Sequence, residues 1–519
     1  MRHSYSLYPI VVGVLTILAT PQIAIGLSDS EVEKIARKIT VLIDGKNDSG
    51  SGVLIKKDDT TDNITYTVLT ARHVVEKKDA YTIVTPDGKQ HTIQFENIKK
   101  IPNVDLALLE FTSSNNYSIA KIGNSSAAAL GTTTYVAGFL KSINDKQKLP
   151  YNFPPAGKIT ANASQGLPGG YALAYKIDAS PGMSGGPVLN EKGEIIGIHA
   201  LGDVNDQKQK PIPNPTTAYL KTGKNLAIPI GTFLKFSKSA GIDVDFVSPE
   251  TSSTNKDSTK SKADDFYIKA SSEVKSGNLQ EAIAAYNRAI SINPQYTDAY
   301  NDRGVVRSAS GSLSEGIKDF EQAVQINPQH STAYVNLGIA RLKSKDYEQA
   351  ITNFDRALQI NPNIADAYLN RGKAYLYLGK KEKAIADYDQ ALNINPNDVQ
   401  AYDSRAIARF RLGDKQGAIK DFSRSLELNP RNAKAYYNRG VARSRLGDDR
   451  GAISDYDLAL KINPGYAQAY GNRGLARLRS GDKKGAIQDL KTAADVFRKQ
   501  GKEDDYHKAQ KLIEKLQEQ

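Results

Sequence analysis

The stretch SPGMSGGPVLNEKGEIIGIHA, residues Ser180 to Ala200, sets one serine, Ser184, among glycines and follows it with an apolar strand that ends on a histidine. A hydrolytic serine needs a base to take its proton, an acid to fix the tautomer of that base, and N–H donors for the oxyanion that forms. Upstream, TVLTARHVV places His73 just after a strand ending in Thr70-Ala71, and NVDLALLEF places Asp105 at the start of an apolar strand. His73, Asp105 and Ser184 are therefore the candidate base, acid and nucleophile. Each has a plain structural reading when taken alone: a hydrogen-bonded histidine, a turn-forming aspartate, one more serine in a glycine-rich loop. Their combination with consistent strand context favours the catalytic one.

Bulk composition bounds what else the chain can be. It has 519 residues, beyond the size at which one hydrophobic core keeps growing, so two or more domains are expected. It has no cysteine, which excludes disulfides and thiol or cysteine-ligated metal sites. No metal or organic cofactor is called for. The formal charge is +12, but the cations are interspersed with Asp and Glu, so no nucleic-acid partner is expected. Arg2 and His3 precede the apolar run YPIVVGVLTILA (Tyr8 to Ala19), and Ala24 and Gly26 sit at small-residue positions for cleavage. Residues 1–26 thus read as a secretory signal, and the protein as exported, periplasmic or extracellular. An uncleaved anchor is the alternative, although the run is shorter than the roughly 20 residues a span needs. No later membrane contact is expected.

From residue 27 to 247 the chain reads as short β-rich runs broken by Gly, Asn, Asp and Pro, the pattern of a barrel or sandwich. LTARHVV, DLALL and GMSGGPV, in that order, resemble chymotrypsin-like serine peptidases, and this resemblance implies a double β-barrel. GSGV at Gly50 to Val53 and NLAIPI at Asn225 to Ile230 resemble the HtrA type within the exported bacterial branch. An α/β-hydrolase elbow also uses Gly-x-Ser-x-Gly, but no βαβ rhythm surrounds Ser184, and His199 lies only fifteen residues on. The amides of Gly182 and Ser184 would form the oxyanion hole, glycine tolerating the turn this requires. Digestive relatives place an acidic residue directly before the serine to bind a newly cut N-terminus. Met183 stands there and cannot form that ion pair, so no such activation is expected. Two residues compete for the specificity pocket. Asp178 stands where trypsin-like members attract Lys or Arg, and His199 where glutamyl endopeptidases receive an acidic side chain. Paired with each other, they would leave a pocket without strong charge preference.

Residues 248–263, SPETSSTNKDSTKSKA, hold little to bury and read as a flexible linker. Beyond them the sequence repeats. Ala-Tyr recurs with its tyrosine at Tyr300, Tyr334, Tyr368, Tyr402, Tyr436 and Tyr470, spaced by 34, and Asn-Pro recurs at the same period from Pro294 to Pro464. Small residues follow each tyrosine by four and recur mid-repeat, as two closely crossing helices require. The pattern resembles the tetratricopeptide repeat (TPR) family and implies an all-α solenoid: seven units over 264–497 and a capping helix over 498–519. Such solenoids offer a groove to a protein partner. Asn336, Asn370, Asn438 and Asn472, in NRG or near it, resemble a ladder for a peptide backbone; alternatively these Asn and Arg side chains serve helix-surface hydrogen bonds. The whole is expected to be a multidomain β plus α protein: an exported serine endopeptidase acting on protein or peptide substrate, its repeats recruiting substrate or partner. The competing readings are a catalytically silent TPR scaffold and a chaperone-like binding protein.

Overall fold

The computed structural model describes residues 26–46, 49–59, 63–140, 151–164, 166–177, 179–201, 224–237 and 258–518. Residues 1–25 of the expected signal, residues 248–257 of the expected linker and Asp178 lie outside the described residues. The chain divides into two compact units, one β-rich and one helical. Among the described residues no helix is long and apolar enough to cross a membrane.

The first unit opens with a helix, α1 (Asp29–Ile39), in a stretch read as β-rich. Its Val32, Ala36 and Ile39 form a one-sided apolar stripe buried with Val53, Leu69 and Leu108. Then come β1 (Thr40–Gly45), β2 (Ser49–Asp59), β3 (Ile64–Ala71), β4 (Tyr81–Val84), β5 (Gln90–Ile93), β6 (Lys99–Lys100) and β7 (Leu106–Ser113). They form one antiparallel sheet in the order β5-β4-β1-β2-β3-β7-β6. The sheet curls until the ring of His91 on β5 lies 4.4 Å from that of Phe111 on β7. The curl is completed by side chains, not by a hydrogen-bonded seam.

The second half holds β8 (Thr133–Val136), β9 (Gly138–Phe139), β10 (Tyr151–Asn152), β11 (Gly157–Asn162), β12 (Leu173–Lys176), β13 (Pro187–Leu189), β14 (Ile195–Leu201) and β15 (Lys224–Pro229). Six of these strands close into a barrel in the order β11-β12-β15-β14-β13-β8. Its core contains Val136, Leu173, Tyr175, Met183, Val188 and Ala227. A second helix, α2 (Ile230–Ser237), follows the last strand and buries Ile230 and Phe233.

The first described helix of the second unit starts at Ser258, so helix reaches back into the segment expected to be a tether. Seven helix pairs run from Ser258–Lys275 with Leu279–Ile292 to Ala467–Arg479 with Lys483–Lys499, and Glu503–Glu518 closes the end. The recurring Asn before each proline has a local reason: its Oδ1 accepts the amide two residues on, as in Asn293 to Gln295 (3.1 Å) and Asn463 to Gly465 (3.0 Å), which turns the chain out of the helix. The glycine after four of the tyrosines also has one. A Cβ on Gly338 would lie 2.6 Å from the ring of Phe354, and one on Gly372 2.7 Å from that of Tyr388; Gly304 and Gly440 meet Phe320 and Tyr456 in the same way. In these pairs the aromatic ring packs on the backbone of the facing helix.

The arginines of the NRG motif bind the solenoid to itself. Arg405 holds the buried Asp421 in a fork (Nε–Oδ2 2.9 Å, Nη2–Oδ1 2.7 Å) and reaches Asp389 of the preceding pair (2.5 Å). Arg303, Arg371, Arg439 and Arg473 repeat the fork onto Asp319, Asp387, Asp455 and Asp489. Each guanidinium also covers a repeat tyrosine, Arg405 at 5.5 Å from the Tyr402 ring. The rung is missing from two of the seven pairs. In the first, Lys269 and Ala285 stand at its positions; in the third, Leu337 replaces the arginine and Asn353 stands where the buried aspartate would be. Losing both partners together is the chemically consistent change, since a buried carboxylate without its cation is strongly destabilising.

Arg405→Leu should lower solenoid stability by about 3 kcal/mol, the low end for a broken buried pair because Arg409 still reaches Asp421 at 2.9 Å. Adding Asp421→Asn, which copies the Leu337–Asn353 pairing, should restore more than half of it. Urea midpoints test this; a single variant as stable as the wild type contradicts it.

Candidate active site

Strand register brings two of the candidate residues to one edge. Ala71, the last residue of β3, pairs with Leu106, the first of β7. His73, in the short 3-10 turn Arg72–Val75 after β3, therefore sits beside Asp105, directly before β7. The His73 amide donates to Asp105 Oδ1 (2.9 Å), and the ring Nδ1 lies 2.7 Å from Oδ2. Backbone bonds fix the corner on both sides: Arg72 N–H to the Asp105 carbonyl (3.0 Å) and Asp105 N–H to the Gly169 carbonyl (2.9 Å).

Burial raises the carboxyl pKa of Asp105, but the bond and charge of His73, the Tyr171 hydroxyl and the His73 amide outweigh it, and the group is held below the usual carboxylate range. Asp105 is thus an ionised acceptor, and Nδ1 carries the proton that faces it. The imidazole side chain remains 36% exposed while that of Asp105 is 8% exposed, so Nε2 is the ring nitrogen left for the cleft.

No sequence motif singles out Tyr171, whose hydroxyl donates to Asp105 Oδ2 at 2.5 Å. Burial, then Asp105 itself, pushes the phenol far above its ordinary range, so it stays a donor. The signal available in the sequence is the Gly169-Gly170 pair before it. Both adopt positive φ (89° and 87°), and a Cβ on Gly170 would lie 3.0 Å from Val104, so the loop from the second barrel can press against Asp105 only with glycine there.

Ser184 occupies a tight turn between β12 and β13, flanked by Gly182 (φ 99°) and Gly185 (φ 89°). Its carbonyl accepts the Ser51 amide at 2.7 Å. A Cβ on Gly185 would collide with the Ser51 carbonyl and the Thr70 hydroxyl, so glycine is required there. Gly50 shows how closely the two turns approach: a Cβ on it would lie 2.5 Å from Val74, next to His73, and 3.0 Å from the Ser184 carbonyl. The Ser184 hydroxyl donates to the Ala200 carbonyl at 3.3 Å, and among the described residues it makes no hydrogen bond to His73.

Within the turn the amides of Met183, Gly185 and Gly186 bond to the carbonyls of Ser180 (3.2 Å), His199 (2.7 Å) and Met183 (3.0 Å). The amides of Gly182 and Ser184 have no acceptor among the described residues. His199 lies on β14, 2% exposed, its Nδ1 2.5 Å from the buried Tyr175 hydroxyl. Among the described residues no cluster of three or more His, Asp or Glu could hold a metal ion.

In the solenoid, the asparagines read as a ladder are partly engaged at home. Asn336 Nδ2 donates to Asn301 (3.0 Å), Asn370 Nδ2 to the Asp366 carbonyl (2.8 Å) and Asn472 Nδ2 to the Tyr437 hydroxyl (2.9 Å).

Comparison with known proteins agrees with this architecture. Residues 50–198 match the family model of the trypsin-like peptidase domain. Tetratricopeptide-repeat models match residues 270–311, 297–330, 329–397 and 404–467. The chain is 26% identical over 213 residues to the serine protease Do-like HtrA of Bacillus subtilis (strain 168), covering 38% of this chain and 41% of that protein. It is 31% identical over 153 residues to a probable periplasmic serine endoprotease, DegP-like, of Buchnera aphidicola subsp. Schizaphis graminum, covering 29% of each. It thus spans less than half the length of either relative. A solved tetratricopeptide repeat protein from Parabacteroides merdae is 21% identical, covering 48% of this chain and 99% of that one, with a TM-score of 0.39. The chain thus carries a stretch matching the trypsin-like peptidase domain, similar to HtrA-type proteins, fused to tetratricopeptide repeats.

Proposed function

We propose that the protein is an exported serine endopeptidase in which Ser184 attacks the peptide carbonyl, His73 moves the proton and Asp105 orients His73. The observation that carries this reading is the 2.7 Å pair between His73 Nδ1 and Asp105 Oδ2, beside a serine turn whose Gly182 and Ser184 amides lack an acceptor among the described residues. His73 Nε2 takes the Ser184 proton as Oγ bonds to the carbonyl carbon. The oxyanion is received by the Gly182 and Ser184 amides, and the imidazolium then protonates the leaving amine. Water hydrolyses the acyl-enzyme by the same steps in reverse order. Before the first step the Ser184 hydroxyl must rotate from the Ala200 carbonyl toward the imidazole.

That starting position of the hydroxyl favours a second reading, a catalytically silent domain whose repeats do the work. The leader-like N-terminus supports export. The solenoid, with its expected groove, supports recruitment of a protein substrate or partner.

A fluorophosphonate probe separates the two readings. Folded wild-type protein should be labelled at Ser184, and Ser184→Ala should lose labelling together with about 10⁴-fold or more of peptide turnover. An unlabelled wild type, or equal labelling of Ser184→Ala, defeats the enzyme reading.

Tyr171→Phe removes one donor from Asp105. The Asp105 carboxyl, less stabilised as the anion, is protonated at a higher pH, and its hold on the His73 ring is lost there. The acidic limb of the kcat/KM profile should then move to higher pH by about half a unit, with kcat lower by about threefold to tenfold. An unmoved limb at wild-type rate argues against a positioning role for Tyr171.

Cleavage of a peptide library decides the pocket. Preference for Lys or Arg before the scissile bond assigns it to Asp178, and preference for Glu assigns it to His199. Small apolar preference removes both.

A further inference from the structure

We propose that Met183 is the positioning residue of the oxyanion turn: its thioether sulfur accepts two N–H groups and thereby sets the Gly182 and Ser184 amides. The proposal rests on the peptidase reading above and deepens it.

The turn closes on Met183 from two directions. The Met183 amide donates to the Ser180 carbonyl at 3.2 Å, and the Ser180 amide donates back to Met183 Sδ at 3.3 Å. These reciprocal bonds span Pro181 and Gly182, so they define the path on which the Gly182 amide lies. The second donor comes from outside the turn. Asn152 Nδ2, on β10, reaches the same sulfur at 3.3 Å. β10 pairs with β9, and a Cβ on Gly138 of β9 would lie 2.8 Å from Met183 Cα, so the main chain at residue 183 is pressed against that small sheet. Ser51 adds a third tie: its hydroxyl donates to the Gly182 carbonyl at 3.0 Å and accepts the Phe139 amide at 2.9 Å.

The Met183 side chain is fully buried, in the barrel core with Tyr175, Leu173 and Val188. A thioether is a weak acceptor, but here it combines apolar burial with an acceptor pointed at two N–H groups. An alkyl side chain of similar volume would supply the first and not the second. Position 183 therefore has a role that no ion pair fills.

The chain has two methionines and no cysteine, and the other methionine is Met1. Replacement by selenomethionine consequently changes one internal atom, a conservative variant that keeps the acceptor.

The experiment compares full-length wild type, its selenomethionine form, Met183→Leu, Asn152→Leu and the double variant on a peptide that the wild type cleaves in a Ser184-dependent manner. Rates are normalised to the folded fraction by circular dichroism. Met183→Leu and Asn152→Leu should each lower kcat, Met183→Leu by about tenfold, a fraction of the loss when an oxyanion donor is removed outright. KM should stay within twofold. The double variant should be no slower than Met183→Leu, and the selenomethionine protein should match the wild type. Met183→Leu with wild-type kcat overturns the proposal, as does a loss that merely follows the folded fraction. Should Met183→Leu fail to fold, an unaltered kcat in Asn152→Leu overturns it. A wild type without Ser184-dependent turnover overturns the peptidase reading and this proposal together; an active wild type beside an unaffected Met183→Leu overturns this proposal alone.

Discussion

A carboxylate can leave water only where other donors replace the water, and both units are organised around that requirement. In the first, Asp105 is 5% exposed and receives the His73 amide, the His73 ring and the Tyr171 hydroxyl. The donors come from different parts of the chain: the end of β3 and the loop before β12. Satisfying one buried charge therefore fastens the second barrel to the edge of the first at the point where His73 is displayed. In the second unit Asp319, Asp387, Asp421, Asp455 and Asp489 pose the same problem, and each is met by an arginine fork from the partner helix.

The same constraint explains the glycines around Ser184. Donors can reach a buried acceptor only if backbones come close, and at Gly50, Gly170 and Gly185 a methyl group would already be in conflict with its neighbours. The glycine-rich turn is thus as much a packing requirement as a conformational one. It brings the Ser184 carbonyl onto the Ser51 amide, while the hydroxyl rests on the Ala200 carbonyl.

Much of this was legible in the sequence because it depends on short range or strict period. His73 and Asp105 stand at strand ends, in TARHVV and VDLALL, and the 34-residue spacing of Ala-Tyr and Asn-Pro prescribes paired helices. What escaped depends on contacts between distant segments. Tyr171 carries no motif, and its partner lies 66 residues away. Helix α1 was hidden behind the leader-like run, although Val32, Ala36 and Ile39 already form a helical stripe. The curled first sheet lacks a hydrogen-bonded closing seam because its far strands meet through His91 and Phe111, and no local pattern records that. The arginines of NRG were visible. Their aspartates lie sixteen residues on, across a helix turn, so attention falls first on the neighbouring asparagines.

Leu337 is buried with Val305, Phe320 and Ala340, so this joint of the solenoid is held by apolar contact where five others are ionic. Salt acts on the two kinds of joint differently: electrolyte screens the exposed parts of the ionic rungs and does not reach a leucine among hydrocarbon. The oily clasp keeps its grip where brine loosens a charged one.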